Sequence, residues 1–268
     1  MPQTKASHGL QDAAFVCGME SEMRCLRAAG IENSIALSGA RSEHAAKISS
    51  ELIASGVKCL VSIGLAGGLD PRLGPGAVIV ADRVLSWRQP IPVESKRSTL
   101  QGLGNLIRQD GAGAPQTDKT APDAQSETDP ELRAQLLAAL AGKVWSGDIV
   151  GVDQAVTTPG EKLALYAQTT GLACDMESHA VAEAAQASGI PFVVLRVVSD
   201  PSNRSIPQSA LAGITADGKT APGRVLGILA ARPWELFELL SLALDARLAF
   251  AALRRVAFSS APLFSAAG

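Results

Sequence analysis

Three acids stand just past the ends of apolar runs. Glu22 follows "AAFVCGM" (13–19), Glu177 follows "GLACDM", and Asp200 closes "PFVVLRVVSD". An unpaired buried ion is expensive, so acids at such places either cap helices or perform chemistry. Glu20 and Glu22 both suit a helix N-terminus, where the dipole favours an acid. Ligands of α/β sheets, however, sit at the carboxyl ends of parallel strands. Glu22, Glu177 and Asp200 on three such ends would face one crevice, and three caps explain that set less well than proton-transfer chemistry does. Glu20 and Asp175 are read as structural.

Two further features surround these acids. The glycines of "GLAGGL" (64–69), Gly67 and Gly68 among them, would let backbone N–H groups approach an anion or a sugar with no Cβ in the way. A plain tight turn explains them equally well, and the run does not fit the G-x-G-x-x-G dinucleotide pattern. Arg24, Arg41 and Arg196 offer forks for a phosphate. Arg24 and Arg41 also read as solvated surface charges. Arg196 lies inside an apolar strand and needs an acidic partner, for which Glu22 and Glu177 are the candidates.

The elements that must position these groups alternate along the chain. Strands are expected at 13–19, 34–40, 57–69, 76–86, near 143–157 and on either side of the helix that follows "DMES". Helices fall between them, at 42–55, 129–141 and 159–170 among other places. Continuous apolar strands imply that both sheet faces are covered. The expected fold is α/β, a single domain over 10–258 with a central, mostly parallel mixed sheet flanked by helices. Residues 88–130 are rich in Pro, Gly, Thr, Ser and Asp and read as a mobile insertion. An apolar helix is expected at 232–256, with Glu235 and Glu238 early and Arg254 and Arg255 late, as the dipole favours. It would pack on the domain or a neighbouring subunit, or meet lipid or a lipid-like substrate.

Composition excludes other classes. The chain has 268 residues and a net charge of −2, which gives no bulk attraction for nucleic acid. Cys17, Cys25, Cys59 and Cys174 are widely spaced, lack C-x-x-C and do not cluster with histidine, so buried thiols are expected rather than a metal site or disulfides. The opening "MPQTKASHGLQD" lacks a signal-peptide core, and no apolar run reaches spanning length. A cytoplasmic protein is expected, at most peripheral to the inner membrane.

Four pieces, "VCGMESEM", "SIGLAGGLDPRLGPGAVIVAD", "DMES" and "PFVVLRVVSD", together resemble the purine nucleoside phosphorylase and methylthioadenosine/adenosylhomocysteine nucleosidase superfamily, in the family's order, over most of residues 13–200. "GLAGGLDP", "DMESH", "LRVVSDPSNRSIPQSALAGITADGK" and "RPWELFELLSLALDAR" resemble the hopanoid-associated phosphorylase branch more closely. That resemblance implies removal of adenine from adenosylhopane, an adenosine joined through its ribose 5′ carbon to a C30 triterpene. It implies that Asp200, beside Ser199, neutralises the leaving base at N7. Glu177 would bind the ribose 2′- and 3′-hydroxyls and favour an oxocarbenium-like transition state, and Met176 would pack on the sugar.

Glu22 matches the water-activating glutamate of the nucleosidases, where bacterial hexameric phosphorylases carry a phosphate-binding arginine. The arginines and the closer branch's name point instead to inorganic phosphate as co-substrate; no other cofactor and no metal is expected. Leu65 replaces the serine of the nucleosidases' "GSAGG" loop, and Ala155 stands where they stack an aromatic on the base. Both changes weigh against a general methylthioadenosine/adenosylhomocysteine nucleosidase, and the three acids together weigh against a silent nucleoside- or lipid-binding protein. The expected partner is a nucleoside with an apolar 5′ substituent, bound by a homo-oligomer.

Overall fold

Side-chain alternation along the strands divides the core into two halves, as a sheet covered on both faces requires. In the computed structural model, which describes residues 10–91, 121–213, 218–219 and 221–265, the last strand β8 (Phe192–Asp200) makes the division plain. Val193, Leu195 and Val197 join one apolar cluster, and Val194 and Val198 the other. Arg196 has the parity of the second pair, and that parity fixes which side it faces.

The other strands are β1 (Ala13–Cys17), β2 (Ile35–Leu37), β3 (Cys59–Gly68), β4 (Val78–Trp87), β5 (Ala124–Glu127), β6 (Val144–Val152) and β7 (Ala173–Asp175). Pairing is parallel for β1 with β2 and β3, β3 with β8, β4 with β6, and β6 with β7. It is antiparallel for β3 with β7, β4 with β5, and β4 with β8. The sheet is therefore mixed. After a register shift between Ala66 and Gly67, Gly67 pairs with Asp200 of β8 on one side and Cys174 of β7 on the other, and Gly68 pairs with Ala173 of β7. Strands β3, β8, β4, β6 and β7 thus close on one another, and their ends converge on one rim.

Helices α1 (Glu20–Ala28), α3 (Pro130–Ala139) and α8 (Leu236–Phe264) cover one face. Helices α2 (Ser42–Ala54) and α5 (Ser178–Ala187) cover the other. Helix α4 (Pro159–Thr169) lies beyond the rim with a third small cluster, and α6 (Gln208–Leu211) and α7 (Pro222–Ala231) lead into α8. Phe15 meets Phe264 edge-on at 4.7 Å, which ties the far end of α8 to the central strands.

Two features differ from the sequence expectation. Within 88–130, residues 92–120 lie outside the described residues, but Ala124–Glu127 form strand β5 on the edge of the sheet. "AQSE" is polar because only Ser126 of the four is buried, so no apolar period announces it. The C-terminal helix begins later and runs longer than 232–256, because Pro233 starts a separate 3-10 turn (Pro233–Glu235) before Leu236. All four cysteines are buried free thiols. Among the described residues, no helix is long and apolar enough to cross a membrane.

Candidate active site

A cavity of about 550 Å³ opens at the rim where the strands converge. Glu22, Glu177 and Asp200 all line it, so the three strand-end acids are brought together. Each is buried, and each is held by a different device.

Glu22 sits in the first turn of α1. Its Oε2 accepts from the backbone N–H of Gly18 (2.8 Å) and of Met19 (2.9 Å), so it does cap its own helix. Its Oε1 also accepts from Leu65 N–H at 2.8 Å, across on β3. Capping and lining the cavity are the same placement. Burial pushes its carboxyl up, and the three N–H groups pull against that.

The glycines near these acids serve a purpose the sequence reading gave to the ligand. A Cβ on Gly64 would stand 2.7 Å from Glu22 Oε1, and one on Gly18 would stand 2.7 Å from Glu177 Oε1. Bare backbone is needed first for the carboxylates to approach the strands. Gly67 lines the cavity; Gly68, by contrast, packs on Val198 and the backbone at Asp200–Pro201.

Glu177 precedes α5 and rests on a buried network. Arg196 Nε donates to Asp175 Oδ2 at 2.7 Å, and its Nη2 donates to Ser62 Oγ at 2.7 Å and Ser178 Oγ at 3.0 Å. Glu177 Oε2 is a longer contact of Nη2, at 3.4 Å. Asp175 is therefore the principal partner of Arg196, rather than Glu22 or Glu177, because the parity of β8 points the guanidinium at the start of α5. Asp175 Oδ1 accepts from the N–H groups of Glu177 (2.8 Å) and Ser178 (2.7 Å), which starts that helix. Burial pushes Asp175 up, yet the Arg196 guanidinium holds it below the usual carboxylate range. Glu177, left with the weaker contact and beside Asp175 and Glu22, is pushed up to about 8, chiefly by burial.

Asp200 ends β8. Its Oδ1 accepts from Ser199 Oγ at 2.6 Å, and its Oδ2 accepts from Lys162 Nζ at 2.7 Å. Burial pushes its carboxyl up, and the lysine opposes this. Sequence reasoning missed Lys162. Its helix begins with a capping box, in which Thr158 Oγ1 accepts from Glu161 N–H and Glu161 Oε2 accepts from Thr158 N–H. That start turns Lys162 inward with Leu165 and Thr169, and a lysine in phase with a buried face was the available signal.

The arginines do not assemble a phosphate cradle around the acids. Arg24 pairs with Glu20 at 2.7 Å and lines a separate cleft against α8. Arg196 is fully buried behind the carboxylates and does not line the cavity. Arg41 does line it, at the start of α2, with its side chain half exposed and 3.9 Å from Glu43.

The rest of the lining, the apolar wall, comprises Leu65, Val152, Ala155, Val156, Met176, Ile206, Leu211, Leu242, Ala246 and Phe250. Leu242, Ala246 and Phe250 recur every fourth residue and form one face of α8. Trp234 precedes that helix, and Phe237 and Leu240 turn out of the cavity on it; all three are exposed and do not line the cavity. Of Trp234, Phe237 and Phe250, Phe250 alone lines the cavity.

The profile of the phosphorylase superfamily matches residues 14–228. The chain belongs to the phosphorylase superfamily. The match spans all three acids and Lys162 and ends before α8. Among curated superfamily relatives, the 5′-methylthioadenosine/S-adenosylhomocysteine nucleosidase of Mycobacterium bovis is 27% identical over 152 residues, 54% of this chain and 60% of that protein. The corresponding enzyme of a Marinomonas species is 31% identical over 152 residues, 56% and 59% of the two. The chain thus spans about three-fifths of the length of these relatives. In fold it is similar to the 5′-methylthioadenosine/S-adenosylhomocysteine nucleosidase of Neisseria meningitidis, solved with methylthio-immucillin-A (TM-score 0.61, 20% identity, 93% of this chain and 98% of that one). It is also similar to the futalosine hydrolase of Helicobacter pylori (TM-score 0.57, 20% identity, 83% and 98%).

Proposed function

We propose that the protein cleaves the bond between adenine and ribose in an adenosine bearing a large apolar 5′ substituent, with water as the acceptor and adenosylhopane as the substrate. The observation that carries the reading is one cavity lined both by the carboxyls of Glu22, Glu177 and Asp200, with Asp175 beside them, and by an apolar face of α8. In the reaction, Glu22 takes a proton from water, whose oxygen attacks the ribose C1′. The electrons of the C1′–N9 bond pass to the purine as Asp200 gives a proton to N7. Glu177 meets the ribose hydroxyls and, once ionised, favours the positive charge that develops on the sugar. No metal or organic cofactor is required for these steps.

Water is favoured over phosphate by charge. The wall near C1′ would hold Glu22 and Glu177, and Arg41, the sole cation among the described residues lining the cavity, stands half in solvent beside Glu43. A phosphate dianion would find no cradle of paired cations there to hold it. This moves the reading away from the phosphorolysis suggested by the arginines in the sequence.

The 5′ specificity rests on the apolar wall. Leu65 in place of a serine makes the lining more apolar, and Ala155 in place of a stacking ring leaves room in the cavity. A general methylthioadenosine/adenosylhomocysteine nucleosidase is the second reading, favoured by the curated relatives.

The test is product analysis on adenosylhopane, adenosylhomocysteine and inosine, with and without phosphate. Free ribosylhopane and adenine in both buffers are expected. Phosphoribosyl product appearing only with phosphate would overturn the choice of acceptor, and efficient cleavage of adenosylhomocysteine alone would favour the second reading. No cleavage of any substrate would leave a binding protein.

A further inference from the structure

Lys162 is a fully buried lysine whose contacts all lie on one short segment. Besides Asp200 Oδ2, its Nζ donates to the carbonyls of Pro201 (3.0 Å), Arg204 (3.0 Å) and, at 3.3 Å, Asp200 itself. The same segment is tied to the start of α4 by Ile206 N–H, which donates to Thr157 O at 2.8 Å. It is tied to α8 by Arg204 Nε, which donates to Asp245 Oδ2 at 2.7 Å. A buried ammonium is costly unless its donors are satisfied and an opposite charge is in contact. The fold accepts that cost here, beside the one acid proposed to protonate the leaving base.

Resting on the proposed reaction, we infer that Lys162 is a positioning residue that fixes both the direction of the Asp200 carboxyl and its readiness to part with a proton. It touches neither base nor sugar in this account. A general acid works best when its proton affinity lies near the working pH. Burial pushes the Asp200 carboxyl up, and the Lys162 ammonium pulls against that. The other charged or titratable groups facing Asp200 are Cys174 on β7, Asp245 on α8 and, bound to Asp245, Arg204. Ser199 completes the surroundings with a neutral donor. Lys162 is the cation in direct contact, so its removal should move Asp200 upward.

The experiment compares wild type with Lys162→Met and Lys162→Gln, the second keeping polar donors without the charge. The pH profile of kcat is followed on a 5′-alkyl adenosine, with Asp200→Asn identifying the limb that belongs to Asp200. Expected is a fall in kcat of roughly 10- to 100-fold, a smaller change in KM, and an upward move of that limb by about 1–3 pH units. Glu22 and Glu177 titrate in every protein compared and drop out of the difference. A limb that stays in place while kcat and Tm fall would make Lys162 merely structural and overturn the inference, as would failure of both variants to fold. A second readout needs no turnover: titration of the Asp200 carboxyl by carbon-13 NMR in aspartate-labelled wild type and Lys162→Gln. A shifted carboxyl in an enzyme that releases no adenine would uphold the pairing and sink the reaction. Coincident titrations in an active enzyme would do the reverse.

Discussion

The two walls of the cavity are built on opposite principles. On the carboxylate wall the groups are held by directed hydrogen bonds, most closely at Glu22 and Asp200 and more loosely at Glu177. Glu22 accepts three backbone N–H bonds, Asp200 is gripped by Lys162 and Ser199, and Glu177 rests on the Arg196–Asp175 network. On the apolar wall, Leu242, Ala246 and Phe250 are placed by the packing of α8 on the domain and by the Arg204–Asp245 ion pair beside them. Polar networks fix directions to within a hydrogen bond, whereas apolar packing fixes volume and tolerates exchange of similar shapes. The first arrangement suits chemistry and the second suits selection of a substituent. The superfamily match covers the former wall and stops short of α8.

The largest effects should come from the carboxylate wall. Asp200→Asn and Glu22→Gln each keep shape and remove an acid or base, so adenine release should fall roughly 100-fold or more. Far-UV circular dichroism and melting should stay near wild type for Asp200→Asn. Near wild-type turnover in either variant would take that residue out of the mechanism.

Gly64→Ala should come next. The added methyl would stand 2.7 Å from Glu22 Oε1, so the carboxylate must move while its charge remains. A displacement of about 1 Å costs on the order of 100-fold in rate. Turnover is the measurement, and unchanged kcat would show that the position of Glu22 does not matter.

Glu177→Gln probes the same wall more gently. It should impair ribonucleosides more than their 2′-deoxy analogues, by about 1–3 kcal/mol, the scale of a charged hydrogen bond. Equal losses would make Glu177 structural. It should also change how stability depends on pH. The folded protein holds the Glu177 proton more tightly than the unfolded chain does, so its stabilising contribution is full below about 4.5 and lost as pH rises through about 8. Urea midpoints should therefore fall more steeply for wild type than for Glu177→Gln across that window. Parallel curves would contradict the raised affinity.

On the apolar wall the effects should be smaller and selective. Phe250→Ser should raise KM for a long 5′-alkyl adenosine about 5- to 20-fold, since each CH₂ returned to water costs about 0.8 kcal/mol, and leave a methyl substituent nearly unaffected. Phe237→Ser, on the exposed side of the same helix, should change neither substrate. If Phe237→Ser alone discriminated between them, the assignment of helix faces would be reversed.

The unequal legibility of the two walls in the sequence follows from the same contrast. Acids after apolar runs are rare enough to notice, and the strand-end rule placed Glu22, Glu177 and Asp200 around one crevice. The α/β class followed from continuous apolar strands. What burial does to a polar partner was harder to see: Arg196 was recognised as needing an acid, but only the parity of β8 and the turn into α5 select Asp175. Lys162 was overlooked among surface-like residues on α4. Helix α8 is apolar on several sides, so its sequence carries no phase from which to tell Leu242 from Leu240. Strand β5 pairs at an edge with one buried residue and has no apolar pattern to read.

The most direct test of a carboxylate wall that cleaves and an apolar wall that selects is adenine release from two 5′-alkyl adenosines, one methyl and one long-chain, in phosphate-free buffer. The account predicts that wild type cleaves both and prefers the long chain by at least about 10-fold in kcat/KM, a margin of about 1.4 kcal/mol. Release that requires phosphate, or a preference for the methyl compound, would contradict it.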